Sequence, residues 1–496
     1  MKSILKATAV LGGASVVNIL IGLVSSKITA LLLGPSGFGL MSLYQSLIGL
    51  TIMAAGLGLP TALTRTMAGS LAENDRIRTA ALRRAGWAVT LATAILAVGL
   101  LLIFSAQVET YLLSARHDLS WTLFILPAIV FSMVSAMQIA VINARHQVAD
   151  LAKISILTAV LSLLPTILLV WHYREAGVAP AIAANTFISM VVSYHYYRMS
   201  FGDEQIDVPS SSSVVVSELV DAGRELIGFG LPFVASLVVG AGVLTIIPLL
   251  VLHALGEAAV GLFRAGSALA VNYLSVILAS MAQDYFPRVS KASDDPAELS
   301  KIVNDQLHLV FLLAGPVILA MIGLVPYLVP LLYSSDFMAA AEMLEWQLIG
   351  DIFKFATWAM GFVIMVKLGS KTFFLTELSS GMVLLAASWF GMRLWGLSGL
   401  GIGFFVTGVF ACAINWLVLY RSRGITWRRD NVVLFMMLIA AAVLLRAIAM
   451  AGVATLNLLV AAVLSGGFGL YSLLAISREF GGWRILLTKR QQVSDP

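Results

Sequence analysis

Long apolar runs separated by short polar stretches fill the chain. They fall at roughly 7–33, 38–62, 85–105, 121–144, 152–171 and 177–197. After a polar interval they resume at about 226–252, 258–283, 306–333, 341–367, 372–394 and 398–420, with two more near 431–451 and 456–476. Each reaches the about 20 residues that cross about 30 Å of hydrocarbon at about 1.5 Å per residue. The pattern predicts an all-α polytopic membrane protein with about 14 transmembrane helices. The polar interval from Arg198 to Glu225, with Ser210–Ser213 inside it, reads as a cytoplasmic linker. The expected organisation is a six-helix lobe over 1–197, a linker over 198–225, a second six-helix lobe over 226–420, and two additional helices with a cytoplasmic tail over 421–496.

The two halves echo each other. Leu33-Gly34-Pro35-Ser36-Gly37-Phe38-Gly39-Leu40 leads into the second run, and Leu255-Gly256-Glu257-Ala258-Ala259-Val260-Gly261-Leu262 leads into the eighth. Leu33/Leu255, Gly34/Gly256, Gly39/Gly261, Leu40/Leu262 and Leu47/Leu269 match in register. In so leucine-rich a chain the position of the echo matters more than the identities: both copies follow the first run of a half. An even number of spans per half makes the repeat parallel, a pseudo-two-fold along the membrane normal. Repeats of that kind place substrate between halves that rock.

Composition and charge agree with the pattern. The 496 residues are 59% hydrophobic and 11% charged, with a mean hydropathy of +0.95. A soluble core cannot hide that much apolar surface. Of the 31 Lys and Arg, all but seven fall on one alternate set of loops and on the two tails. Arg116, Arg174 and Arg393 fall on the other set, while Lys27, Arg264, Lys354 and Arg446 lie inside runs. The positive-inside rule then puts both termini in the cytoplasm. It also accounts for the net charge of +5 without nucleic acid. Met1–Lys6 and the run behind it read as a first span, not a removed signal. Arg478–Arg490, with Phe480, Trp483, Ile485 and Leu486 among its bases, reads as an interfacial helix.

Signatures of catalysis and metal binding are missing from the sequence. Its six histidines form no HExxH pattern and its single cysteine, Cys412, lies in an apolar run. Gly399-Leu400-Gly401-Ile402-Gly403 opens an apolar run with no strand before it, which suits close helix packing. His117-Asp118 is a solvated outer loop. No cofactor and no catalytic residue are expected.

Intramembrane charge is the informative feature, since a charged side chain at mid-bilayer costs about 2.5–3.5 kcal/mol on insertion scales. In the run 341–367, Gln347, Asp351, Lys354 and Trp358 share one helical face, with Gly350, Thr357 and Gly361 allowing close approach beside it. That face reads as the lining of a wet cavity for a charged cargo; a local Asp351–Lys354 pair at i,i+3 is the alternative. Lys27 and Arg264 lie toward the outer half of the membrane, one in each half of the chain. Lys27 could instead snorkel. Glu377 lies in the next run with Ser379 and Ser380, and either carries a coupling ion or pairs with a lysine such as Lys371. Arg446, near an outer end, reads as snorkelling. The excess of cations suits an anionic headgroup, because Arg and Lys are the usual phosphate ligands.

The motifs Trp346–Phe355 (WQLIGDIFKF), Thr376–Ser380 (TELSS) and Gly34–Leu40 (GPSGFGL) resemble those of the Wzx-type translocases of the polysaccharide-transport branch of the MOP exporter superfamily. These move lipid-linked oligosaccharides for O-antigen or enterobacterial common antigen. The resemblance implies a twelve-helix core of two lobes plus two helices in a bacterial inner membrane. The implied cargo is an undecaprenyl-diphosphate-linked oligosaccharide, carried to the periplasmic leaflet by alternating access. It implies roles for Lys27, Asp351, Lys354 and Glu377, which stand at charged positions of that family. Gln45 stands where some relatives carry a base, a role that Arg264 would take here. With no ATP-binding motif, coupling to H+ or Na+ through Asp351 or Glu377 is expected. Membrane lipids, and possible polymerase and chain-length regulator proteins, complete the partners. A small-solute or drug antiporter of the same superfamily would show an anionic cavity instead. A membrane polymerase or glycosyltransferase would need a longer outer loop than 106–120.

Overall fold

The computed structural model describes residues 2–112, 120–201, 216–292 and 295–479. The residues around His117-Asp118, expected to form an outer loop, most of the expected linker and the stretch after Glu479 expected to be interfacial lie outside the described residues. Among the described residues the chain is helical, with 14 α-helices.

They are α1 (Lys2–Ala55), α2 (Leu59–Ala72), α3 (Arg76–Ile103), α4 (Ser105–Leu112), α5 (Ser120–Ala144), α6 (Val148–Tyr173) and α7 (Val178–Phe201). The second series is α8 (Val216–Leu255), α9 (Glu257–Lys291), α10 (Pro296–Leu332), α11 (Ala340–Val363), α12 (Ser370–Arg423), α13 (Arg429–Met450) and α14 (Ala454–Glu479). Two of these are too long for one crossing, since 54 residues would run about 80 Å. Each breaks where the sequence permits. Gly34 takes φ 64° just before Pro35, whose ring suits the start of the next helical segment. Gly396 takes φ 58° after Trp395. Nine apolar helical stretches are long enough to span a membrane among the residues searched, and three of them, of 43, 53 and 54 residues, have the length for two crossings of about 20 residues each. The second run departs from its expected bounds of 38–62: it stops at Ala55, turns through Gly56-Leu57-Gly58, and continues as α2 with Pro60 at its first turn.

Contacts divide the chain into two compact units. The first comprises Met1–Arg264 and Leu332–Phe337. Its core gathers Leu63, Met67, Leu82, Met137, Val141 and Leu226 from α2, α3, α5 and α8. Asp75 caps α3 by accepting from Arg78 N at 2.9 Å. The two echoed turns meet here. A Cβ on Gly39 would collide with the Glu257 carbonyl oxygen, and one on Gly261 would collide with the Pro35 carbonyl oxygen. The matched glycines are therefore the contact through which the second half of α1 and the start of α9 lie backbone to backbone. Gly34 and Gly256, also matched, both adopt positive φ, 64° and 87°.

The second unit comprises Ala265–Leu331 and Met338–Pro496. Helix α11 is its axis, buried on most of its circumference by Leu344, Leu348, Ile352, Phe355, Ala359 and Val363. Gly350 meets the Phe404 and Phe405 backbone of α12, and Gly408 meets the Gly350 carbonyl. Across the break in α12, Gly391 and Gly399 face each other, and Gly403 faces Ser388. Helix α10 receives α13 and α14 at Gly315, beside Leu438 and Phe468, and at Gly323, beside Ala461.

Candidate substrate-binding site

Each unit carries polar and charged side chains within its long apolar helices. In the first unit, Arg264 lies two turns into α9 and is exposed, as is Gln45 on α1. Arg264 Nη2 donates to Gln45 Oε1 at 3.4 Å. Tyr333, from the segment after α10, is 1% exposed and acts electrostatically on Arg264. It is held edge-on to Phe38 at 5.8 Å and stacked on Phe337 at 5.4 Å. The hydrogen-bond partner of Arg264, Gln45, and the ring that acts on it, Tyr333, are both uncharged side chains. Lys27 is half-buried on α1.

In the second unit, Asp351 is 6% exposed and Gln347 5% exposed on α11, whereas Lys354 on the same helix is exposed. Gln347 Nε2 donates to Ser267 Oγ at 3.1 Å, and its carbonyl oxygen is buried with no hydrogen-bond partner among the described residues. Glu377, half-buried on α12, feels the charge of Lys354; the lysine at hand is Lys354 and not the neighbouring Lys371. One turn further, Trp358 stacks on Tyr285 at 5.9 Å, and Tyr285 Oη donates to Ala359 O at 2.7 Å. The polar face of α11 therefore grades from a buried end, at Gln347 and Asp351, to an accessible cation at Lys354.

Arg446 does not snorkel. It is 7% exposed, with Nη1 donating to Glu345 Oε2 at 2.8 Å and Nη2 to Glu342 Oε1 at 2.5 Å. This pairing was missed from the sequence; Glu342 and Glu345 in the apolar opening of α11 were the signal available for it, because a buried carboxylate demands a base.

A family model described as "Polysaccharide biosynthesis protein" matches residues 28–342, more than half of the chain. The lipid III flippases of Escherichia coli (strain K12) and Shigella flexneri are each 23% identical over 167 residues. That match spans 33% of this chain and 40% of the length of either relative. The lipid II flippase MurJ in an inward closed conformation superposes with a TM-score of 0.66 at 13% identity, over 96% of this chain and 99% of that one. An inward-facing multidrug resistance MATE family transporter of the MOP superfamily superposes with a TM-score of 0.64 at 15% identity, over 86% of this chain and 95% of that one. At such identities these likenesses establish a shared multi-span helical fold. With the family match across α1 to α11, the chain belongs to the polysaccharide biosynthesis protein family.

Proposed function

We propose that this protein is a flippase that moves undecaprenyl-diphosphate-linked oligosaccharide units from the cytoplasmic to the periplasmic leaflet of a bacterial inner membrane by alternating access. It makes and breaks no covalent bond. Residues 1–197 and 226–420 serve as six-helix lobes joined by 198–225, with 421–496 as an appendage and both termini in the cytoplasm. Polymerase and chain-length regulator proteins would receive the product.

Arg264 is the observation that carries this reading. Moving a bare diphosphate through hydrocarbon would cost tens of kcal/mol by idealised solvation estimates. A guanidinium in an apolar helix, exposed and hydrogen-bonded to an uncharged glutamine, would offer paired donors in place of lost water. Gln45 orients it and Lys27 adds positive charge within the first unit; Lys354 is the accessible cation of the second unit. Binding through a few accessible cations stays weak enough for release. Asp351 and Glu377 are the carboxylates through which H+ or Na+ would drive the cycle. The transporter fold shared with MATE proteins favours one other reading, a cation antiporter that uses buried Asp351.

The two readings part in reconstituted vesicles. A flippase transfers a diphosphate-linked polyprenyl oligosaccharide to the opposite leaflet, losing this activity in Arg264→Ala and keeping part of it in Arg264→Lys. Cation-dye efflux with no lipid transfer would instead establish the antiporter. In cells lacking the protein, lipid-linked units should collect unpolymerised on the cytoplasmic face.

A further inference from the structure

Among the described residues three charged side chains are buried: Asp351, Glu345 and Arg446. The last two belong to one cluster that joins α11 to α13, away from the polar face of Gln347, Asp351 and Lys354. Arg446 bridges Glu345 at 2.8 Å and Glu342 at 2.5 Å, and its guanidinium carbon lies 5.7 Å from the Trp346 ring centre. Side-chain exposure is 8% for Arg446, 5% for Glu345 and 53% for Glu342. The charged groups acting on Glu345 are Arg446 from α13 and Glu342 from its own helix; among the described residues α12, packed on the same helix, contributes none. One guanidinium thus serves two carboxylates, and a net negative charge is left in a setting where burial penalises it. A second, separate feature lies in the same cluster. Arg446 Nε is buried and has no acceptor among the described residues. Buried donors of this kind are completed by ordered water.

We infer that Glu345 is a proton-binding site, served by a water on Arg446 Nε and reached from solvent past Glu342. A proton delivered by hydronium binds a Glu345 carboxylate oxygen and leaves a water molecule behind. The surplus negative charge of the cluster is cancelled, while Arg446 stays paired with Glu342. Glu342 and Glu345 lie in the first turns of α11, and Arg446 in the last turns of α13. On the proposed orientation both face the outside, so the site would load from the proton-rich side. Its link to transport rests on the flippase reading; the proton site itself does not. It assigns proton entry to the joint between the appended α13 and α11, separate from Asp351 and Glu377.

Trp346 supplies a readout independent of cargo. Its fluorescence is followed against pH in purified full-length protein, as the difference between the unaltered chain and Trp346→Phe. A titration is expected in the unaltered chain, lost in Glu345→Gln, which keeps the hydrogen bond to Arg446, and retained with a shifted midpoint in Glu342→Gln. A titration unchanged in Glu345→Gln overturns the site, as does no titration in the unaltered chain. In vesicles, stimulation of lipid transfer by an acidic outside should vanish in Glu345→Gln while transfer without a gradient persists. Stimulation that survives in the variant overturns the role in coupling. Absence of lipid transfer in the unaltered chain, with the Trp346 titration intact, would sink the flippase reading and leave the proton site standing.

Discussion

Arg446 and Arg264 are both arginines in spanning helices, and their surroundings predict opposite results on removal. Arg446→Ala strips the base from buried Glu345. Breaking a buried pair from one side costs about 3–5 kcal/mol, so the melting temperature of the purified protein should fall sharply and expression with it. Arg264→Ala removes an exposed side chain bonded to a neutral glutamine. Its melting temperature should stay near that of the unaltered chain while lipid transfer is lost; equal activity would remove Arg264 from the site. The sequence distinguishes these two poorly. Both are lone cations in apolar runs, and the partners of Arg446 lie about a hundred residues away, on a helix whose place beside α13 no local pattern announces. Glu342 and Glu345 carried the missing information, since two acids within an apolar opening require compensation. Glu377 repeats the lesson: its lysine is Lys354 on the preceding helix, where sequence proximity suggested Lys371.

At the scale of elements, Gly39 and Gly261 make a sharp contrast with Gly49. The first two have no room for a side chain, because each faces backbone of the opposite echo, whereas a Cβ on Gly49, on the same helix as Gly39, meets nothing within 4 Å. Gly39→Val and Gly261→Val should each destabilise by about 1–3 kcal/mol, the usual cost of overpacking. Gly49→Ala should be neutral or slightly stabilising, as helix propensity favours it. Thermal unfolding in detergent measures all three, and a tolerated Gly39→Val would contradict the close approach. The echo was legible as matched letters, and its meaning became visible only when the letters proved to touch. Most span positions were legible too, because hydropathy and the length of a crossing leave little choice, although the runs 226–252 and 258–283 are not among the nine stretches long enough to cross a membrane in the residues searched. The turn at Gly56-Leu57-Gly58 was not, because the apolar pattern runs unbroken through Thr61 and only the αL conformation of Leu57 and Gly58 divides it.

For the whole molecule, the loop charges set an orientation that labelling can test. Lys367, Lys371, Arg421, Arg423, Arg428 and Arg429 flank the turns on one side of α12, and only Arg393 adjoins the break at Trp395-Gly396 on the other. Cytoplasmic loops hold the bases, so the α12–α13 turn around Thr426 should face the cytoplasm and the α13–α14 turn around Ala451 the outside. Cys412, the single cysteine, is buried at 7% exposure and can be replaced by alanine to give a silent background. Thr426 and Ala451 are both exposed, so a cysteine at either should react without disturbing packing. A membrane-impermeant maleimide added to intact cells should label Ala451→Cys and spare Thr426→Cys; inverted vesicles should reverse the result. The consequence reaches the cluster at Arg446, five residues before Ala451. If Ala451→Cys is labelled from outside, Glu345 opens to the acidic side of an energised membrane, and an inward proton gradient can load it. If the labelling is inverted, the same carboxylate faces the cytoplasm, and the gradient that drives export must act elsewhere.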